Sequence, residues 1–173
     1  MRQEQKTITY YKFYELSDKA KKHAIQELSD INVDFGWWEL TYEDAADIGL
    51  KITGFDLDRN RHADGEFVLS ANEVAQNILN NHGDMTETYK TADNFMKEWQ
   101  PVFDGYMDES SEDYESQKSE NELLDIEDQF LQSLLEDYSI MLQEEYEYQT
   151  SEEAIQETIE ANEYEFDADG NLL

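Results

Sequence analysis

The chain has 173 residues, with 43 Asp and Glu against 12 Lys and Arg, for a formal net charge of −31. That length allows one domain with a real core, or a domain with a long appendage. The acidity argues against direct contact with nucleic acid or anionic lipid, which both require Lys and Arg. The lack of cysteine excludes disulfides, thiolate metal sites and cysteine nucleophiles.

The charge is unevenly placed. From Pro101 to Leu173 there are 24 acidic side chains and one basic one, Lys118; Met1 to Gln100 holds 19 acids and 11 bases. Self-repulsion of that size opposes compaction and points either to disorder or to a cationic partner. Aromatic residues make up 13% of the chain, which favours a folded state. Met1 to Lys6 is not followed by an apolar run of the secretory kind, and no stretch approaches 18 apolar residues. The expectation is therefore a cytoplasmic protein with no membrane partner.

Thr7–Glu15, β-branched and aromatic, reads as a strand. Ser17 caps a helix reaching about Ile31, and Trp37–Leu50 reads as a second helix. Lys51–Asp58 alternates as a strand, with Gly54 suggesting a bulge; Arg59–Gly65 is a polar turn and Glu66–Leu69 the returning arm. Ser70 and Glu73 have capping-box spacing for a helix that stops at Gly83. A further helix spans about Met85–Phe103, bent or ended by Pro101, the only proline. Residues 104–119, rich in Ser, Asp and Glu, read as an acidic linker or mobile loop. Glu120–Tyr148 is the longest periodic segment. Thr150 or Ser151 caps a short helix to Ala161, and Asp169-Gly170 turns a closing hairpin between Tyr164–Phe166 and Asn171–Leu173. The fold class expected is α+β: a small antiparallel sheet of three or four strands covered by helices, with a long acidic C-terminal helix. The expected organisation is a body over 1–103, the linker 104–119, and an acidic helical segment with its hairpin over 120–173, packed on the body as one domain.

At 100° per residue, Leu123, Phe130, Leu131, Leu134, Leu135, Tyr138, Met141 and Leu142 share one face of the long helix. Glu122, Asp125, Glu136, Asp137, Glu144 and Glu147 fall within roughly 120° on the other side. From Glu120 to Glu147 the helix would run about 42 Å and carry a carboxylate about every 4 Å, against a phosphate every ~3.4 Å along one DNA strand. The two densities are of the same order, so a groove built for nucleic acid could accept such a face. The bland alternative is a solvated acidic surface. Nine Lys are kept, nearly all in the first hundred residues, which separates this pattern from halophilic lysine depletion.

Other constellations are weak. Asp56-Leu57-Asp58-Arg59-Asn60 starts like a calcium loop, but Arg61 and Phe67 stand where Gly and Glu are required. Asp167, Asp169 and Asn171 lack the twelfth-position Glu, so both segments read as turns and no metal is expected. His23, His62 and His82 have no zinc spacing, and His82-Gly83-Asp84 reads as a helix end. No phosphate-binding loop or nucleophile elbow is present, so neither cofactor nor enzyme activity is expected. Trp37, Trp38 and the run Tyr10 to Tyr14 read as packing residues rather than a base-stacking platform, which would need a cationic groove. Lys19, Lys21 and Lys22 could offset the acidic remainder or contact a partner.

Tyr14-Glu15-Leu16-Ser17 with Ala20-Lys21, Gly36-Trp37-Trp38-Glu39, Ile52–Asp58 and Leu134–Tyr138 resemble small acidic proteins of phages, prophages and other mobile elements, some labelled antitoxin-like. In size and charge the chain also looks like anti-restriction and anti-CRISPR proteins that imitate DNA. The resemblance implies an inhibitor of a basic, nucleic-acid-handling host protein, such as a defence nuclease or a CRISPR or restriction effector. The alternatives are an antitoxin masking a basic toxin, and a small enzyme or regulator with an unrecognised site. The candidate partner-binding residues are Glu122, Asp125, Glu136, Asp137, Glu144, Glu145 and Glu147.

Overall fold

The structure, a computed structural model, describes residues 9–108 and 114–173. Its elements in order are β1 (Tyr11–Lys12), α1 (Asp18–Glu27), α2 (Glu39–Ile48), β2 (Leu50–Asp56), β3 (His62–Phe67), α3 (Ala71–Asn81), α4 (Glu87–Asp108), α5 (Tyr114–Gln149), α6 (Glu152–Ala161) and β4 (Glu165–Phe166). The class is α+β, as expected. The four strands form two antiparallel pairs rather than one sheet, β1 with β4 and β2 with β3.

The chain divides into two compact units, one of residues up to Trp37 with Glu144–Leu173, the other Trp38–Gln143. These boundaries differ from the expected segments 1–103, 104–119 and 120–173. The reason is long-range pairing that periodicity does not reveal: Tyr11 lies opposite Phe166, and Lys12 opposite Glu165.

In the terminal unit, the expected strand over Thr7–Glu15 shrinks to Tyr11–Lys12, followed by a 3-10 turn over Phe13–Glu15; Thr7 and Ile8 lie outside the described residues. Ser17 caps α1 by accepting from Ala20 N at 3.3 Å, and Ser151 caps α6 by accepting from Ala154 N at 3.2 Å. Both caps place small or branched apolar residues inward. Phe13, Leu16, Ala20, Ala24, Ile155, Ile159 and Phe166 form the core. The closing hairpin forms as expected around Asp169-Gly170, with Phe166 bridged to Leu172, Asp167 N donating to the Asn171 carbonyl at 3.0 Å and Leu173 N to the Glu165 carbonyl at 3.0 Å, while the other edge of β4 pairs with β1. Gly170, at φ +92°, lies against the Ala20 carbonyl so closely that a β-carbon would collide with it.

In the central unit, Gly49 ends α2 at φ +91° and lets the chain turn directly into β2. The β2–β3 hairpin carries its irregularity between Ile52 and Gly54, as the glycine suggested. Its turn is shorter than expected, since β3 already begins at His62. Ser70 and Glu73 complete the capping box of α3: Ser70 Oγ accepts from Glu73 N, and Glu73 Oε2 accepts from Ser70 N.

The helix α5 fills the middle of this unit. Leu123, Phe130, Leu134, Leu135 and Tyr138 are buried in one cluster with Ile48, Leu50, Ile52, Val74, Ile78, Phe95 and Trp99. Leu135 crosses β3 at Gly65, where a β-carbon would meet both Leu135 and the Lys51 carbonyl. Fully burying one such leucine stabilises the fold by roughly 1.5–3 kcal/mol, which exceeds what isolated surface charges remove.

The helix junction differs from expectation. Pro101 does not end α4, which continues to Asp108, and α5 already begins at Tyr114, within the expected linker. Residues 109–113 of the expected linker lie outside the described residues. An internal proline costs about 3 kcal/mol, yet packing on both sides of it holds the helix: Trp99 and Phe103 stack at 4.4 Å between centroids, and Val102 and Tyr106 pack on the core.

Candidate partner-binding surface

Helices α4 and α5 run antiparallel, with paired contacts stepping down them. Thr91 Oγ1 donates to Asp137 Oδ2 at 2.7 Å, Phe95 stacks on Phe130 at 4.2 Å, and Trp99 Nε1 donates to Glu127 Oε1 at 2.9 Å. This contact covers one flank of α5 as well as its apolar face. The carboxylates of α5 are thereby sorted into two groups.

One group serves the fold. Glu136 accepts from the Arg61 guanidinium, which also donates to Ser139 Oγ at 3.2 Å and Gln143 Oε1 at 3.1 Å. Arg61, at the tip of the β2–β3 hairpin, thus spans two turns of α5, reaching from exposed Glu136 to the fully buried Ser139. Asp137 is half-buried. Burial raises its pKa, with Glu87 and Glu136 adding to the rise and the Thr91 hydroxyl opposing it. Of the seven residues expected to bind a partner, these two are committed to contacts within the central unit. The projection placed them on the solvent side because it could not see α4 or Arg61.

The other group faces water. Glu122 and Asp125 are exposed and make no ion pair or hydrogen bond with any described residue. Glu120 and Asp128 join them on the same helix, though the wheel did not select them. In the terminal unit Glu144 and Glu147 are exposed, and Glu145 accepts from Gln149 Nε2 at 2.7 Å. Sequence reasoning placed α6 but did not select its carboxylates, and Glu152, Glu153, Glu157 and Glu160 are all exposed. Their spacing within a capped helix was the signal that could have found them.

Five of the ten Lys and Arg side chains among the described residues are ion-paired within the fold, Arg61 among them. Lys12 pairs with Glu165, Lys51 with Glu66, Lys90 with Glu87 and Lys97 with Asp93. Each of those is an exposed pair, worth about 0–1 kcal/mol. None reaches the four exposed carboxylates between Glu120 and Asp128.

The acidic turns are closed on themselves. Asp56 Oδ1 accepts from Asp58 N at 2.8 Å, and Asp167 Oδ1 accepts from Asp169 N at 2.9 Å and Asn171 N at 3.0 Å. The Asn171 side chain and these backbone donors hold the Asp167 carboxyl below its ordinary range. Among the described residues no group of three or more His, Asp or Glu is arranged to hold a metal ion.

His82 caps α3, as expected, and joins a chain of polar contacts. Its Nδ1 lies 2.7 Å from Thr88 Oγ1 and its Nε2 3.7 Å from Asp44 Oδ1, while Asp44 Oδ2 accepts from Tyr138 at 2.8 Å. A hydroxyl, an imidazole and a carboxylate in sequence have the composition of a nucleophilic triad. The Thr88 hydroxyl belongs to a side chain only 4% exposed, so a substrate has no approach to it. The chain of contacts ties α2, α3, α4 and α5 together instead.

Among the described residues no helix is long and apolar enough to cross a membrane. No family model, curated protein or solved structure matches the chain.

Proposed function

We propose that this protein is a stoichiometric inhibitor that binds a basic, nucleic-acid-handling protein and occupies its phosphate-binding surface. The observation that carries this reading is the exposed row Glu122, Asp125 and Asp128. Its carboxylates have no partner in the fold, on a helix held by its apolar face. Successive members lie roughly 4.5 Å apart along the axis at 1.5 Å per residue, the same order as the ~3.4 Å spacing of phosphates along one strand. Repulsion within the row costs stability that the hydrophobic face offsets; a cationic partner would remove that cost and speed encounter.

An enzymatic reading has less support, since the hydroxyl of the triad-like set belongs to buried Thr88 and the set's members hydrogen-bond helices together. The client belongs to a defence nuclease or a CRISPR or restriction effector under this reading. An antitoxin for a basic toxin would use the same physics.

The test is capture of host proteins on the immobilised chain at low salt, elution along a salt gradient, and competition for the captured client by its own nucleic acid. A client that elutes early in the gradient and is displaced by nucleic acid fits the proposal. A client that stays bound at high salt, or binds this chain and nucleic acid together, contradicts it.

A further inference from the structure

Beside the exposed carboxylates, the central unit has a groove of about 260 Å³ between α4 and α5. Its floor is the stacked pair Phe95 and Phe130, each 3% exposed. Its rim carries Asn94 and Glu98 from α4 and Gln129 and Ser133 from α5. All four rim side chains are exposed, and none is hydrogen-bonded or ion-paired to any described residue. Thr91, at one end, is already committed to Asp137.

The geometry points to a binding site for one arginine side chain of the basic partner. This deepens the proposed function by naming the anchor group the partner must supply. Three properties select it. The volume lies below the ~300–1,000 Å³ of ordinary small-molecule pockets and is on the scale of a single side chain. The rim offers one carboxylate, two amide oxygens and a hydroxyl, all able to accept; five N–H donors of a planar guanidinium can use several such acceptors at once, where a compact ammonium cannot. The apolar floor suits the methylene stem that arginine lays along a surface. The charge is complementary as well: Glu98 is in the groove, and Glu122 and Asp125 stand one turn before Ile126 and Gln129 on α5.

The test uses the full chain and the tripeptide acetyl-Gly-Arg-Gly-amide, followed by backbone amide shifts in solution NMR, with lysine and citrulline counterparts. The expected result is saturable shifts centred on Asn94, Glu98, Gln129 and Ser133 with the arginine peptide. Binding should be at least about fivefold weaker with lysine and lost with uncharged citrulline. Glu98→Gln should weaken arginine binding by about tenfold, since the charge-assisted hydrogen bond goes. Ser133→Leu, at an exposed position, should fill the groove and abolish binding without unfolding the chain. Shifts spread evenly over the acidic surface, equal response to lysine, or unchanged binding in both variants would overturn the assignment. Client capture that is salt-sensitive while the arginine peptide fails would sink the groove alone. Arginine binding with no nucleic-acid-displaceable client would sink the mimicry reading and leave the groove standing.

Discussion

The Tyr138 hydroxyl donates to Asp44 at 2.8 Å from the fully buried centre of α5. The other oxygen of that carboxylate lies 3.7 Å from His82 Nε2. Burial first, and then Asp44, push the ionisation of Tyr138 far above the ordinary tyrosine range, so it remains a donor at any working pH. Tyr138→Phe keeps the ring and removes the donor. The Asp44 side chain is 42% exposed and can be rehydrated, so the cost should be about 1–2 kcal/mol rather than the larger penalty of an orphaned buried charge. Urea unfolding at pH 7 measures it, and an unchanged midpoint would show that the contact contributes nothing.

Asp137 should give stability a pH dependence opposite to that of most carboxylates. Its folded pKa is raised by burial, so its contribution is fully present below the unfolded value of about 4 and declines as pH climbs through the raised folded value. Asp137→Asn keeps an acceptor for Thr91 and removes the charge. The variant should be more stable than the parent by a margin that widens from pH 5 upward and then levels off. Urea midpoints measured from pH 5 to pH 8 check this, and a constant or inverted difference would contradict the burial of that carboxylate.

Glu163 is the one non-glycine at positive φ among the described residues, at +52° just past α6. A left-handed residue with a β-carbon costs roughly 1–2 kcal/mol, and glycine returns roughly 0.5–1 kcal/mol of that as extra freedom of the unfolded chain. Glu163→Gly should therefore raise stability by about 0.5 kcal/mol. The Lys12 Nζ contact is retained, because it is made to the Glu163 carbonyl. Gly170→Ala should do the reverse and more strongly, since its β-carbon would strike the Ala20 carbonyl. Equal thermal midpoints for the two variants would contradict this account of the loop.

Local signals were legible in the sequence where one short segment determines the outcome. Ser17, Ser70 with Glu73, Ser151, the bulge near Gly54 and the buried stripe of α5 all follow from spacing and backbone chemistry within a few residues. What stayed hidden depends on distant partners. The pairing of Tyr11 with Phe166 joins the two ends of the chain, and the stacking around Trp99 carried α4 through Pro101. The candidate surface shows the same limit. Charge counting found Glu122 and Asp125, yet Glu136 is taken by Arg61 and Asp137 is half-buried beneath α4, neither of which a helical projection can include.

The central claim is that the exposed α5 carboxylates serve a partner and not the fold. The most direct measurement is a binding titration of the captured client against a chain carrying Glu122→Gln, Asp125→Asn and Asp128→Asn together, at low and at high salt. Exposed ion pairs are individually worth about 0–1 kcal/mol, so the three act collectively: affinity should fall by about 30-fold at low salt and much less at high salt. The unfolding midpoint should hold or rise as self-repulsion drops. Affinity that is unchanged at low salt, in a chain that remains folded, would contradict the claim and reduce the acidic face to a solvated surface.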